Sequence, residues 1–119
     1  MAIKDKLTEE FLAGIKEIEN ILFLLHFYPY SFEEKGTAYF IKYKKGNSIV
    51  EFLFGPSDWD VEIIIFTSKG KFAFKDLLQI PTIAEWVNNN RYKQDNGRNV
   101  KNELLWAIEL LRVSLPIIE

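Results

Sequence analysis

Apolar and polar residues alternate with a period of two through residues 37–75, and with a period of three to four on either side of that stretch. The central part reads as four short strands, with turns at Lys45-Gly46-Asn47, at residues 55–60 and at Lys69-Gly70. Glycine and asparagine accept the positive φ of two-residue hairpin loops, so Gly46-Asn47 and Lys69-Gly70 set the outer registers. The first loop places Tyr43 opposite Val50, Ile41 opposite Phe52 and Tyr39 opposite Phe54. Closing the middle hairpin symmetrically sets Phe54 against Val61, Phe52 against Ile63 and Val50 against Ile65. The last loop predicts Ile65 opposite Phe74 and Thr67 opposite Phe72. All these pairs share one face, and a one-residue slip would turn a whole strand over. That face is the predicted core.

The other face carries Phe40, Lys42, Lys44, Ile49, Glu51, Leu53, Glu62, Ile64 and Phe66. Phe40 pairs with Leu53 and Lys42 with Glu51, while Ile64 lies diagonal to Leu53. A wet sheet face alternates more cleanly than this, so cover by a helix or a bound partner is expected.

Residues 5–26 place Leu7, Phe11, Ile15, Ile18, Leu22 and Leu25 on one side, which predicts an amphipathic helix. Gly14 costs it roughly 1 kcal/mol relative to alanine. Pro29 is expected to stop it, with residues 27–32 forming an aromatic connection over the sheet's edge. After the strands, Asp76 should cap a single helical turn ended by Pro81. Thr82 and Glu85 then form a capping box for a helix to Asn89 that buries Ile83, Trp86 and Val87. Residues 91–97 read as a polar loop. A last helix from about Asn99 to before Pro116 carries the stripe Val100, Leu104, Ala107, Ile108, Leu111 and Leu115. Its second stripe, Trp106, Leu110 and Val113, implies a helix wedged between two elements or shared with another chain. The tail 116–119 is apolar and should dock. The expected architecture is a single α+β domain over 1–119: an N-terminal helix, a four-stranded antiparallel meander, and two to three C-terminal helices packed on the sheet. The first and last helices belong on the core face; the alternative lays the last helix over the second face.

Composition narrows the function classes. Apolar residues at 48% and aromatics at 15% exclude disorder for most of the chain. The absence of cysteine removes disulfides and thiolate metal sites. The apolar run at 21–25 is too short for a membrane span and the N-terminus lacks a secretory stretch, so a cytoplasmic protein is expected. Net charge is −2, and the densest basic cluster is only Lys42, Lys44 and Lys45, which argues against nucleic acid. A surplus of lysine over arginine, with many Ile and Asn, points to an AT-rich bacterial gene.

Candidate chemistry is sparse. His26 is the one histidine, and at a helix end it suits the dipole better than catalysis. Nucleophilic triads lack parts, and no catalytic residue or cofactor is assigned. Asp58, Asp60 and Glu62 share a face by even spacing, and Glu51 lies diagonal to Glu62 at roughly 7–8 Å. Such carboxylates can hold Mg²⁺ or Ca²⁺ or form an acid/base pair, although the calcium-loop pattern is not met. The ordinary reading makes Asp58 and Asp60 loop caps, with Glu51 and Glu62 facing water. Trp59 is either core, as its parity favours, or an interface anchor. Asn88 to Tyr92 is either a polar binding loop or a frayed helix end.

The expectation is a small bacterial protein-binding module. It would use Phe40, Glu51, Leu53, Asp58, Trp59, Asp60, Glu62 and Ile64 to hold another, basic protein. The alternatives are a self-associating homodimer and a carboxylate enzyme assisted by Mg²⁺. In size and class the chain resembles the small single-domain immunity proteins that neutralise toxins, a likeness of general shape rather than of a residue motif.

Overall fold

The computed structural model describes residues 3–36, 38–55, 61–90 and 100–119. Helix α1 (Ile3–Leu24) leads into strands β1 (Tyr28–Lys35), β2 (Ala38–Lys45), β3 (Ser48–Phe54), β4 (Val61–Thr67) and β5 (Gly70–Ala73). Helices α2 (Phe74–Leu77), α3 (Pro81–Asn89) and α4 (Val100–Ile118) follow. The architecture is α+β, with an antiparallel sheet in the order β1-β2-β3-β4-β5. That is one strand more than expected.

The extra strand is the aromatic connection. α1 ends before Pro29 is reached, in a left-handed cap at His26 (φ 68°). The His26 N–H donates to the Phe23 carbonyl at 3.0 Å and the Phe27 N–H to the Leu22 carbonyl at 2.9 Å. Leu22 and Phe27 are both fully buried, which completes the hydrophobic closure of such a cap. The cap frees residue 28 onward to pair with β2, Lys35 lying opposite Ala38 and Phe32 opposite Ile41. Pro29 is tolerated because β1 is an edge strand, and the register shifts between Pro29 and Ser31.

The β2–β3 and β3–β4 registers are the expected ones, including Ile41 opposite Phe52 and Phe52 opposite Ile63. The β4–β5 register is shifted by two residues: Thr67 pairs with Gly70 and Ile65 with Phe72, so the two-residue loop is Ser68-Lys69 rather than Lys69-Gly70. The Thr67 hydroxyl accepts the Lys69 N–H at 3.1 Å, closing the loop over Ser68-Lys69, and Gly70 takes φ 136°. A shift of two preserves parity, so Phe72 stays on the core face. Phe74 does not reach Ile65; it starts α2 and is 39% exposed.

Two caps differ from expectation. Asp76 sits at the third position of α2 and accepts the Ala73 N–H at 2.9 Å, so it caps by reaching back. Pro81 takes the first position of α3, with Ile80 before it as the capping residue, so Thr82 and Glu85 lie inside the helix and form no capping box. Ile83 is buried and Trp86 and Val87 are half-buried. Pro116 does not end α4. The Thr67 hydroxyl donates to the Ile118 carbonyl at 2.7 Å, and Lys69 Nζ to the Ile117 carbonyl at 3.5 Å. Ile118 is 1% exposed, and Glu119 binds Lys45 at 3.0 Å and the Ser48 hydroxyl at 2.9 Å. These contacts hold the last turn of α4 against the sheet, and the tail docks as expected.

α1 and α4 both lie on the core face. Phe11 stacks on Phe54 at 4.7 Å, and the whole main stripe of α4 joins the same buried cluster as Val50, Phe52 and Ile65. The second stripe of α4 is wedged between elements of this chain. Leu110 is fully buried, and the Trp106 ring meets Phe74 at 6.0 Å and Trp86 at 5.8 Å. The Trp106 indole N–H donates to the Asn90 carbonyl. α1 and α4 approach closely at Gly14, where a Cβ would stand 2.6 Å from Leu104 Cδ1.

Two substitutions test this packing. Phe52→Ala removes a ring with no exposed surface and should cost about 3–5 kcal/mol in denaturant unfolding. Gly14→Ala gains up to about 1 kcal/mol of helix propensity but must displace fully buried Leu104. The expected net is a loss of about 1–2 kcal/mol in the same measurement, since overpacking of this kind costs about 1–3 kcal/mol.

Candidate functional site

The second sheet face keeps the predicted neighbours together. Phe40 pairs with Leu53, Lys42 with Glu51, Leu53 with Glu62 and Glu51 with Ile64. The buried sides of α1 and α4 pack on the opposite, core face. Asp58, Trp59 and Asp60 lie outside the described residues, so the acidic end is placed only by Glu62, which is exposed.

The apolar side chains here are less open than their pattern implies: Phe40, Ile49, Leu53, Ile64 and Phe66 are all half-buried. Lysines lie over the rings. Lys35 Nζ stands 5.8 Å from the Phe40 centroid, Lys44 Nζ 5.0 Å from that of Tyr30, and Lys71 Nζ 6.0 Å from that of Phe66. A lysine stem can lie along apolar surface while its ammonium stays in water, which accounts for a face neither polar nor bare. Glu51 departs from the water-facing reading. It is 9% exposed on the central strand, with Lys42 Nζ 3.7 Å away. That lysine partly offsets the cost of burying its charge.

Beyond the end of β5, residues 61–64 of β4 face α4 across a cavity of about 500 Å³. Its lining includes Glu62, Ile64, Phe74, Glu103 and Trp106. Glu62 and Ile64, expected on the sheet face, therefore also border a groove. No group of three or more His, Cys, Asp or Glu able to hold a metal ion occurs among the described residues. The His26 side chain is exposed, and its backbone, not its imidazole, closes α1. No described helix is long and apolar enough to cross a membrane.

The most exposed large apolar side chains among the described residues lie elsewhere. Leu24 is 79% exposed, Phe32 59%, Tyr30 56% and Tyr28 55%. Phe23 stacks on Tyr28 at 5.7 Å where α1 meets β1; around this corner Phe32, opposite Ile41, is on the core side of β1, while Tyr28 lies opposite Lys44 and Tyr30 beneath the Lys44 ammonium, on the side of the second face. On the core side the cause is width. Strands about 4.8 Å apart make five strands about 19 Å across between outer axes, whereas two helices pack 8–10 Å apart. α1 and α4 cover the middle strands and leave the core-side face of β1 open. A groove of about 470 Å³ results, with Leu12, Ile15, Lys16 and Glu19 on one wall and Pro29 and Phe32 on the other.

At its floor the Tyr43 hydroxyl donates to Glu19 Oε2 at 2.7 Å. Burial first, and then this bond and the carboxylate's charge, push the Tyr43 phenol well above its ordinary range. Sequence reading missed this site because residues 27–32 read as an aromatic connection rather than as a strand. The signal was present in Gly36, whose φ of 63° suits a tight hairpin turn between Lys35 and Ala38.

Compared with family models, curated proteins and solved structures, the chain matches none.

The Tyr43–Glu19 bond carries a test. Tyr43→Phe should cost about 1–2 kcal/mol at neutral pH, a hydrogen bond to a partly screened charge. The folded protein holds the phenolic proton more tightly than the unfolded chain, whose tyrosine titrates near pH 10. The contribution is therefore whole below that pH and lost as pH rises above it. In melting curves recorded across alkaline pH, the gap between wild type and Tyr43→Phe should close.

Proposed function

We propose that this chain is a protein-binding module whose docking surface is the aromatic corner between α1 and β1. The observation that carries this reading is the exposure of Tyr28, Tyr30 and Phe32 by more than half each, beside Leu24 and an apolar groove. Contiguous apolar surface of this kind marks interaction sites, and tyrosine and phenylalanine supply large contact area at small entropic cost. Side chains, not strand addition, do the binding. The outer edge of β1 carries Pro29, a bulge and the charged run Glu33-Glu34-Lys35, all devices that discourage edge pairing.

A second reading keeps the second sheet face and its acidic end, with Phe40, Leu53, Ile64, Glu51 and Glu62 as the surface and Asp58, Trp59 and Asp60 beside it. The groove bordered by Glu62 and Ile64 favours it. In that reading a basic partner is steered by the carboxylates, an effect that acts mainly on association rate.

One experiment separates the two. Wild type, Phe32→Glu and Leu53→Lys are used as baits against extract of the native host, and what each retains is compared by mass spectrometry. Phe32→Glu should unfold within about 0.5 kcal/mol of wild type, being an exposed position, and lose its specific partner, since an anchoring aromatic is worth about 2 kcal/mol or more. Loss with Leu53→Lys alone would move the site to the second sheet face.

A further inference from the structure

We infer that the occupant of the α1–β1 groove is a second copy of this chain, its α1 laid antiparallel against the first. This rests on the corner being a docking surface, and it names the partner. The flank of α1 that borders the groove carries Leu12, Lys16 and Glu19, and Phe23 continues the same stripe at spacings of four, three and four. It lies one position round the helix from the buried side, Phe11, Ile15, Ile18 and Leu22.

Read from either end, the stripe runs apolar, charged, charged, apolar, with opposite signs at its centre. In an antiparallel pair related by a two-fold axis, the centre that sets Lys16 against Glu19 of the second copy also sets Leu12 against Phe23 of the second copy. Symmetry repeats both contacts, so each copy offers the same patch and each residue meets its complement. Other arrangements of the stripe fail on charge. A parallel pair in register opposes Lys16 to Lys16 and Glu19 to Glu19, and an antiparallel pair centred on either residue opposes like charges.

The site is partly organised in advance. Tyr43 holds Glu19 through Oε2, which leaves Oε1 to accept from a lysine ammonium. Lys16 is exposed, and none of the ion pairs between described residues involves it. Phe32 and Pro29 on the far wall would pass from open surface to interface. A net charge of −2 sets up little repulsion between copies.

The test is the association of the full chain by sedimentation equilibrium, with the melting temperature of every variant recorded. Wild type should be a dimer. Lys16→Glu and Glu19→Lys should each weaken it by at least about tenfold, because each opposes like charges at both symmetric contacts. Mixing the two variants should restore a heterodimer, since every contact is again between opposite charges; a purely structural role for either residue gives no such rescue. If Glu19→Lys fails to fold, Lys16→Glu and Phe23→Lys decide, and both should weaken the dimer. A wild type that stays monomeric to millimolar concentration overturns the inference. So does a dimer indifferent to Lys16→Glu and Phe23→Lys. A monomer that still loses its captured partner with Phe32→Glu overturns self-association alone, whereas a protein for which Phe32→Glu changes neither capture nor association refutes the corner as a docking surface.

Discussion

The close approach of α1 and α4 at Gly14 governs the rest of the architecture. With no side chain at that position, Leu104 and the Lys101 backbone can come against α1, and the Glu17–Lys101 ion pair at 2.8 Å spans the same seam. The two helices form a narrow layer that seals the core over the middle of the sheet. A narrow layer on a five-stranded sheet must leave strands uncovered. At one side α2 and α3 fill the gap by packing against Trp106. At the other side nothing described fills it, and the core-facing residues of β1 remain in contact with solvent.

The two faces of the sheet thus solve different problems. The core face is covered by helices and closes into one hydrophobic cluster. Among the described residues no helix lies over the second face, and Lys35 and Lys71 stand over its Phe40 and Phe66 rings instead. Such cover is provisional. It consists of mobile side chains whose charged ends prefer water, and a partner can displace it at modest cost. The corner at β1 has no comparable cover except Lys44 over Tyr30, which makes it the more open of the two surfaces.

Charge is also unevenly placed along the strands. Lys44, Lys45, Lys69 and Lys71 gather at one end of the sheet, where Glu119 answers Lys45. Glu33, Glu34 and Glu62 stand toward the other end. The last turn of α4 finishes at the basic end, and Lys69 and Thr67 bond its terminal carbonyls. Cations near a helix C-terminus are favourable, so this asymmetry serves the fold as well as any partner.

The alternation in β2, β3 and β4 was enough to determine their registers and their buried face, because a period of two leaves no half-turned alternative when one side is apolar. The stripes of α1 and α4 were legible for the same reason, as was the docking of the tail. Tertiary structure decided where each element stops. His26 caps α1 through a left-handed backbone that no hydropathy pattern encodes, Thr67 moves the last hairpin loop by one residue and its register by two, and α4 runs on through Pro116 to a last turn whose carbonyls Thr67 and Lys69 bond. The candidate site was the least legible part. Tyr28, Tyr30 and Phe32 look like core from their chemistry, and sequence carries no measure of how wide a helix layer will be. The exposure of Phe32, on the core side of β1, goes with a narrow layer of two helices that meet at Gly14, a contact between residues ninety positions apart that only the folded chain brings together.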